Sequence, residues 1–304
     1  MSPPGHPERS APQGWRLWLV GARPRTLGAA IAPVAVGAAA ASTAGDPVWW
    51  RVGAALVVAL ALQVGVNYAN DYSDGVRGAD SDRVGPLRLT GSGLAVPAAV
   101  KRAAIVAFGV AGVVGAMLSV VVNPWLLLVG AAALAAGWFY TGGPRPYGYS
   151  GLGELMVLVF FGYVATVGTT YVAVEQVPAA SWWAATGVGL LAAGLLLANN
   201  VRDIETDAAV GKRTLAVRVG RRPARRLYAC VVLAGVLTAV PLAWTTPWAL
   251  LGLLALPAAV APARVVLTAS TPAALIPALV FTARLQLVWA VLVTVGLATG
   301  QTLE

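Results

Sequence analysis

From Val52 to Val66 the chain reads VGAALVVALALQVGV, fifteen residues without a charge. A segment that crosses a bilayer needs roughly 20 mostly apolar residues. In hydrocarbon its backbone N–H and C=O groups must bond within the helix itself. Nine stretches meet that requirement, and they predict spanning helices over 26–44, 52–72, 101–122, 124–140, 153–174, 182–202, 226–245, 247–267 and 279–299. The 304-residue chain is 58% hydrophobic and only 11% charged, whereas a soluble domain averages about 25% charged residues. The expected fold is therefore an all-α, polytopic membrane bundle of nine transmembrane helices. One cysteine, Cys230, leaves no partner for an internal disulfide. Residues 1–15, MSPPGHPERSAPQGW, are polar and Pro-rich with no apolar centre. They read as a disordered N-terminal tail rather than a signal peptide, with residues 16–304 forming a single membrane domain.

The charges supply the orientation. With the N-terminus placed in the cytoplasm, nineteen of the 21 Lys and Arg fall on the cytoplasmic side. They gather before the first helix (Arg9, Arg16, Arg23, Arg25), around loop 73–100 and in loop 203–225. Arg51 lies on the other side and Arg284 within the last helix. Positive charge collects in cytoplasmic loops, so the asymmetry supports both the helix count and a plasma-membrane protein whose polar site faces the cytoplasm. It also explains the net charge of +9 without nucleic acid, for which no aromatic-interleaved basic stretch exists.

Two of these loops also carry the acids. One opens with NYANDYSDGVRGADSDR (67–83), the other with NNVRDIETDAAVGKRTLAVRVG (199–220). Asp71 and Asp74 are three apart and Asp203 and Asp207 four apart, spacings that share a helix face. Asn67 precedes Asp71 by four, as Asn199 precedes Asp203. Carboxylates beside lipid repel one another and are costly, so a cation is needed between them. Mg²⁺ is a hard ion that binds one or two carboxylates together with substrate phosphates. The interleaved bases agree: Arg77, Arg83 and Arg88 follow Asp74, and Lys212 and Arg213 follow Asp207. Arg suits bidentate phosphate contact and Lys acts as a point charge. Asp71, Asp74, Asp203 and Asp207 are thus the candidate Mg²⁺ ligands, and the candidate cargo is a diphosphate.

These motifs resemble the paired Asp-rich motifs of the UbiA superfamily of intramembrane aromatic prenyltransferases. The likeness extends through ARPRTLGAAIAPVAVG (22–37), QVGVNYANDYSDGVRGAD (63–80), YTGGPRPYGYSGLGE (140–154) and GKRTLAVRVG (211–220), in family order. Within the superfamily the pattern is most similar to the branch acting on 1,4-dihydroxy-2-naphthoate in menaquinone biosynthesis. The resemblance implies a nine-helix bundle, Mg²⁺, a polyprenyl diphosphate donor and an aromatic acceptor that loses CO₂; a related acceptor such as 4-hydroxybenzoate is the alternative. Two rival classes fit less well. The D-x-x-D-G of residues 71–75 is shared with CDP-alcohol phosphotransferases, but Gly78-Ala79 replaces their Ala-Arg and the second motif lies about 130 residues away. An ion-coupled transporter would bury its acids near the bilayer midplane, not at helix ends.

On that reading Asp71, Asp74, Asp203, Asp207 and Lys212 serve the leaving diphosphate, and Tyr140 faces the allylic cation or orients the acceptor. Asn67, Asn70 and Asn199 would hydrogen-bond the carboxylates or metal waters. Arg77, Arg83 and Arg213 would contact phosphate, and Arg145 the acceptor carboxylate. Glu154, in GLGE, is a further acceptor-site candidate.

Overall fold

The computed structural model describes residues 14–78 and 87–302. Among these there are helices and turns but no strand. Seven helices are long and apolar enough to cross a membrane: α3 (Trp49–Val76), α4 (Pro97–Val121), α6 (Gly153–Val174), α7 (Ala179–Arg202), α10 (Arg221–Leu242), α11 (Pro247–Thr268) and α12 (Ala273–Gly300). α1 (Trp15–Ala22) and α2 (Gly28–Ala41) form a bent apolar pair, with 51° between the Trp15–Thr26 segment and α2. α5 (Leu126–Phe139) is apolar but only 14 residues long. Two short helices, α8 (Ile204–Ala209) and α9 (Leu215–Val219), follow α7.

α7 is the hub: 67% of its most apolar window is buried, against 22% for α4. It touches α2, α6, α10 and α12, while α12 returns to α2 and so closes the bundle. Small residues permit this closeness, as is usual where lipid offers no hydrophobic drive. A methyl added to Gly189 would stand 2.7 Å from the Gly162 Cα, and one on Gly37 would stand 2.5 Å from the Thr166 carbonyl oxygen. Val106, Val113 and Val120, seven apart on α4, are 66%, 72% and 80% exposed. Such an apolar stripe is tolerable in lipid and a liability in water.

Several boundaries differ from those read in the sequence. The tail was taken to end at residue 15, yet Trp15 already begins α1. That helix was missed because Arg16 and Arg23 interrupt its hydropathy; it is held by contacts to α3 and the following loop, with Tyr68 donating to the Trp18 carbonyl at 2.6 Å and Gly21 lying against Leu89 and Tyr68. α3 runs through Val76 rather than stopping at 72, so both Asp71 and Asp74 are helical. Within α6, residues Leu158–Val167 adopt π-helical bonding, which no hydrophobic pattern reveals. Arg51 pins the far end of α3 to α6 through Glu175 at 2.7 Å. Arg284 is exposed on α12. Arg83, Asp80, Asp82 and residues 1–13 lie outside the described residues.

Candidate active site

Helices α2 to α7 surround a cavity of about 590 Å³. Most of its wall is apolar, including Leu62, Leu134, Phe160, Phe161, Val164 and Leu195. Its polar lining includes Asn70, Asp74, Arg88, Tyr140, Asn199, Asn200 and Lys212. Phe160 and Phe161 come from the π-helical part of α6, whose other side lies against α7 through Gly162 and Gly189.

The first motif divides its labour. Asp71 is fully buried, and its two oxygens accept the backbone N–H groups of Leu89 and Thr90, both at 2.8 Å. It fastens the returning loop onto α3. Asp74, one turn on, lines the cavity. Its Oδ1 accepts the Tyr149 hydroxyl at 3.0 Å, and its Oδ2 lies 3.8 Å from an Arg88 nitrogen. The shared face predicted for the two aspartates therefore serves two purposes.

The second motif breaks where α7 ends. Asp203 sits between α7 and α8, and Arg202 grips both its oxygens at 2.6 and 2.7 Å. Asp207 pairs with Lys212 Nζ at 3.3 Å, and Lys212 lines the cavity. Tyr149 joins the two motifs. Besides donating to Asp74, it accepts the Arg213 N–H on its carbonyl at 3.0 Å. The Arg77 guanidinium and the Lys212 ammonium each lie 5.4 Å from its ring centre. Burial and then the Asp74 charge push its phenol above the ordinary range, so it remains a donor at neutral pH.

The asparagines do not reach carboxylates as the sequence suggested. Asn67 donates to Ala22 O at 2.9 Å and to Thr26 Oγ1 at 3.0 Å, binding the α1–α2 bend to α3. Asn70 accepts Thr141 Oγ1 at 2.8 Å, and Asn199 donates to Leu195 O at 3.3 Å, while both line the cavity. Arg77 donates to the carbonyls of Thr141 and Gly143, tying α3 to the loop after α5. Arg145 and Arg213 are exposed and do not line the cavity. Tyr140 lines it, its ring 5.5 Å from that of Tyr147. Glu154 is buried and accepts Asn200 Nδ2 at 2.8 Å. Tyr149 and Asn200 were not singled out from the sequence. The only signals were the aromatic run YGY and the doubled Asn of NNVRD.

The oxygen-only donor set, carboxylates beside carboxamides, has the chemistry a hard divalent ion takes. Among the described residues, however, no three carboxylate, imidazole or thiol side chains converge on one point. Asp74 lines the cavity and Asp207 pairs with Lys212, which lines it; Asp71 is committed to two loop amides and Asp203 to Arg202.

A helical membrane bundle with acids and bases at the polar part of a largely apolar cavity defines a class: an intramembrane enzyme for a charged head on a hydrocarbon tail. The comparisons specify that class. The sequence pattern of the UbiA prenyltransferase family matches residues 30–287, and the chain belongs to that family. It is 50% identical over 285 residues to the 1,4-dihydroxy-2-naphthoate octaprenyltransferase of Mycobacterium tuberculosis, covering 93% of this chain and 97% of that one. It is 37% identical to the enzyme of the same name from Escherichia coli, covering 94% and 96%. Among solved structures, an apo UbiA homolog from Aeropyrum pernix superposes with a TM-score of 0.69 at 15% identity, covering 91% of this chain and 98% of that one. A UbiA homolog from Archaeoglobus fulgidus, bound to GPP and Mg²⁺, superposes at 0.61 with 16% identity, covering 91% and 99%.

Proposed function

We propose that this protein transfers a polyprenyl group from an allylic polyprenyl diphosphate to 1,4-dihydroxy-2-naphthoate, releasing CO₂ and diphosphate and forming demethylmenaquinol in menaquinone biosynthesis. The observation that carries it is the juxtaposition of Asp74, Arg88 and Lys212 with an otherwise apolar cavity. The choice of ring rests on the names of the relatives.

Asp74 and Asp207 would hold Mg²⁺, with Asp71 and Asp203 completing the charge of the two motifs. When bound, the metal neutralises charge on a departing diphosphate. Arg88 and Lys212 stabilise the same charge from the protein side. The apolar wall keeps water from the allylic cation, and Tyr140 presents an aromatic face where that cation forms. Arg145 and Arg213, exposed on adjoining loops, draw anionic substrates to the site. The tails of the donor and of membrane lipid meet the apolar helix faces.

The seven long helices with the shorter α2 and α5 would make nine crossings, with α1 and its Arg16, Arg23 and Arg25 ahead of the first. With nineteen of 21 bases on one side, the positive-inside rule puts the N-terminus and the site at the cytoplasmic face of the plasma membrane. The test is a competition in lipid with Mg²⁺, a labelled allylic diphosphate, 1,4-dihydroxy-2-naphthoate and 4-hydroxybenzoate. Label on the naphthoate supports the assignment. Faster labelling of 4-hydroxybenzoate moves the protein to another branch.

A further inference from the structure

Glu154 stands in the first turn of α6, where the helix dipole favours a negative charge. That explains how a carboxylate is tolerated there, but only half of it is used. Oε1 accepts Asn200 Nδ2 at 2.8 Å. Oε2 is buried, and among the described residues it has no hydrogen-bond donor. A buried carboxylate oxygen left without a donor is costly and calls for an explanation. Its neighbours belong to the cavity. Gly153 and Met156 beside it in α6, Asn200 across from it on α7, and Tyr140 all line the cavity. A methyl on Gly153 would stand 3.5 Å from the Tyr140 ring and 3.7 Å from its hydroxyl. Gly153 and Tyr140 thus meet at one corner of the cavity wall, and Glu154, next to Gly153 and held by Asn200, lies just behind that corner.

We propose that this corner is the subsite for a ring hydroxyl of the aromatic acceptor, with Glu154 Oε2 as the base that takes and returns its proton. Asn200 is the positioning residue that fixes the carboxylate. The proposal rests on the function given above. As the allylic C1–O bond breaks, its electron pair leaves with diphosphate. The carboxyl-bearing ring carbon bonds to C1. The adjacent hydroxyl gives its proton to Glu154, and its O–H pair becomes the C=O of a keto acid. Loss of CO₂ then breaks the ring–carboxyl bond. That pair restores the aromatic ring, and the oxygen takes its proton back from Glu154. The base ends as it began, and no oxidant is needed.

The test uses 1,4-dihydroxy-2-naphthoate and its 1-O-methyl ether, which blocks the hydroxyl beside the carboxylate. Wild-type protein should strongly prefer the free hydroxyl. Glu154→Gln keeps the size of the side chain and an acceptor for Asn200. It should lower kcat on the free acceptor about 100-fold, in the range of a lost general base, with KM for the diphosphate unchanged. The acid limb of the kcat profile should disappear in the same variant, and Glu154→Asp should restore part of it. Asn200→Ala retains the carboxylate without its anchor; kcat should fall about 10-fold with the diphosphate KM unchanged, a smaller loss than removing the base itself. Wild-type kcat in either variant, or an acid limb that persists in Glu154→Gln, overturns the subsite. A wild-type protein that fails to alkylate the naphthoate at all overturns the proposed function, and this inference with it.

Discussion

Tyr149 shows how much one side chain can join. Its hydroxyl serves Asp74, its carbonyl serves the Arg213 amide, and its ring lies 5.4 Å from both Arg77 and Lys212. Tyr149→Phe keeps the ring and removes only the hydrogen bond. A bond to a charged group is worth about 1.5–3 kcal/mol, so kcat should fall roughly ten- to a hundredfold with little change in thermal stability. Tyr149→Ala should cost more, because the two cations lose the ring beside them. A kinetic comparison of the two variants checks this; equal losses would mean that the ring contributes nothing. The two aspartates of the first motif should separate in the same way. Asp74→Asn should lower kcat strongly and leave the melting temperature near wild type. Asp71→Asn should lower the melting temperature, because one of the two loop amides at Leu89 and Thr90 loses its charged acceptor. Spacing placed Asp71 and Asp74 on one helix, and the structure agrees. Which oxygen meets a loop amide and which meets the cavity depends on where the chain returns after residue 86, and no local pattern records that.

Among the elements, those written in hydrophobicity alone were legible. α6 begins at Gly153 and ends at Val174, as the apolar run 153–174 requires, and α11 and α12 lie within a few residues of their apolar stretches. The elements that tertiary contacts create were not. α1 depends on Trp18 and Tyr68, α8 and α9 fold inside the stretch read as loop 203–225, and the π-helical stretch of α6 packs against α7. Gly189 tests that fit. A side chain there would strike the Gly162 Cα at 2.7 Å and lie 3.2 Å from the Leu158 carbonyl oxygen, backbone atoms that cannot rotate away. Overpacking of this kind costs roughly 1–3 kcal/mol. Gly189→Val should therefore lower the melting temperature in detergent by several degrees. It should also change the use of prenyl donors of different length, since Phe160 and Phe161 on the π-helical stretch line the cavity. An unchanged melting curve would contradict the close α6–α7 contact.

The whole molecule sets an acidic and basic head site against an apolar interior. Ala209 is exposed at the end of α8. A cysteine placed there in a Cys230→Ser background should react with a membrane-impermeant thiol reagent only after the cells are opened. Labelling of intact cells would invert the topology. EDTA should abolish turnover and Mg²⁺ restore it, because Asp74 and Asp207 repel an anionic diphosphate unless a cation lies between them; full activity in chelator would exclude the metal from the reaction. The most direct measurement follows the carboxyl carbon. Protein reconstituted in lipid with Mg²⁺ and a polyprenyl diphosphate is given 1,4-dihydroxy-2-naphthoate labelled at the carboxyl group. One labelled CO₂ should be released for each prenylated naphthoquinol formed, and Asp74→Ala should yield neither product. Label retained on the prenylated product, or undiminished transfer by Asp74→Ala, would contradict the proposed reaction.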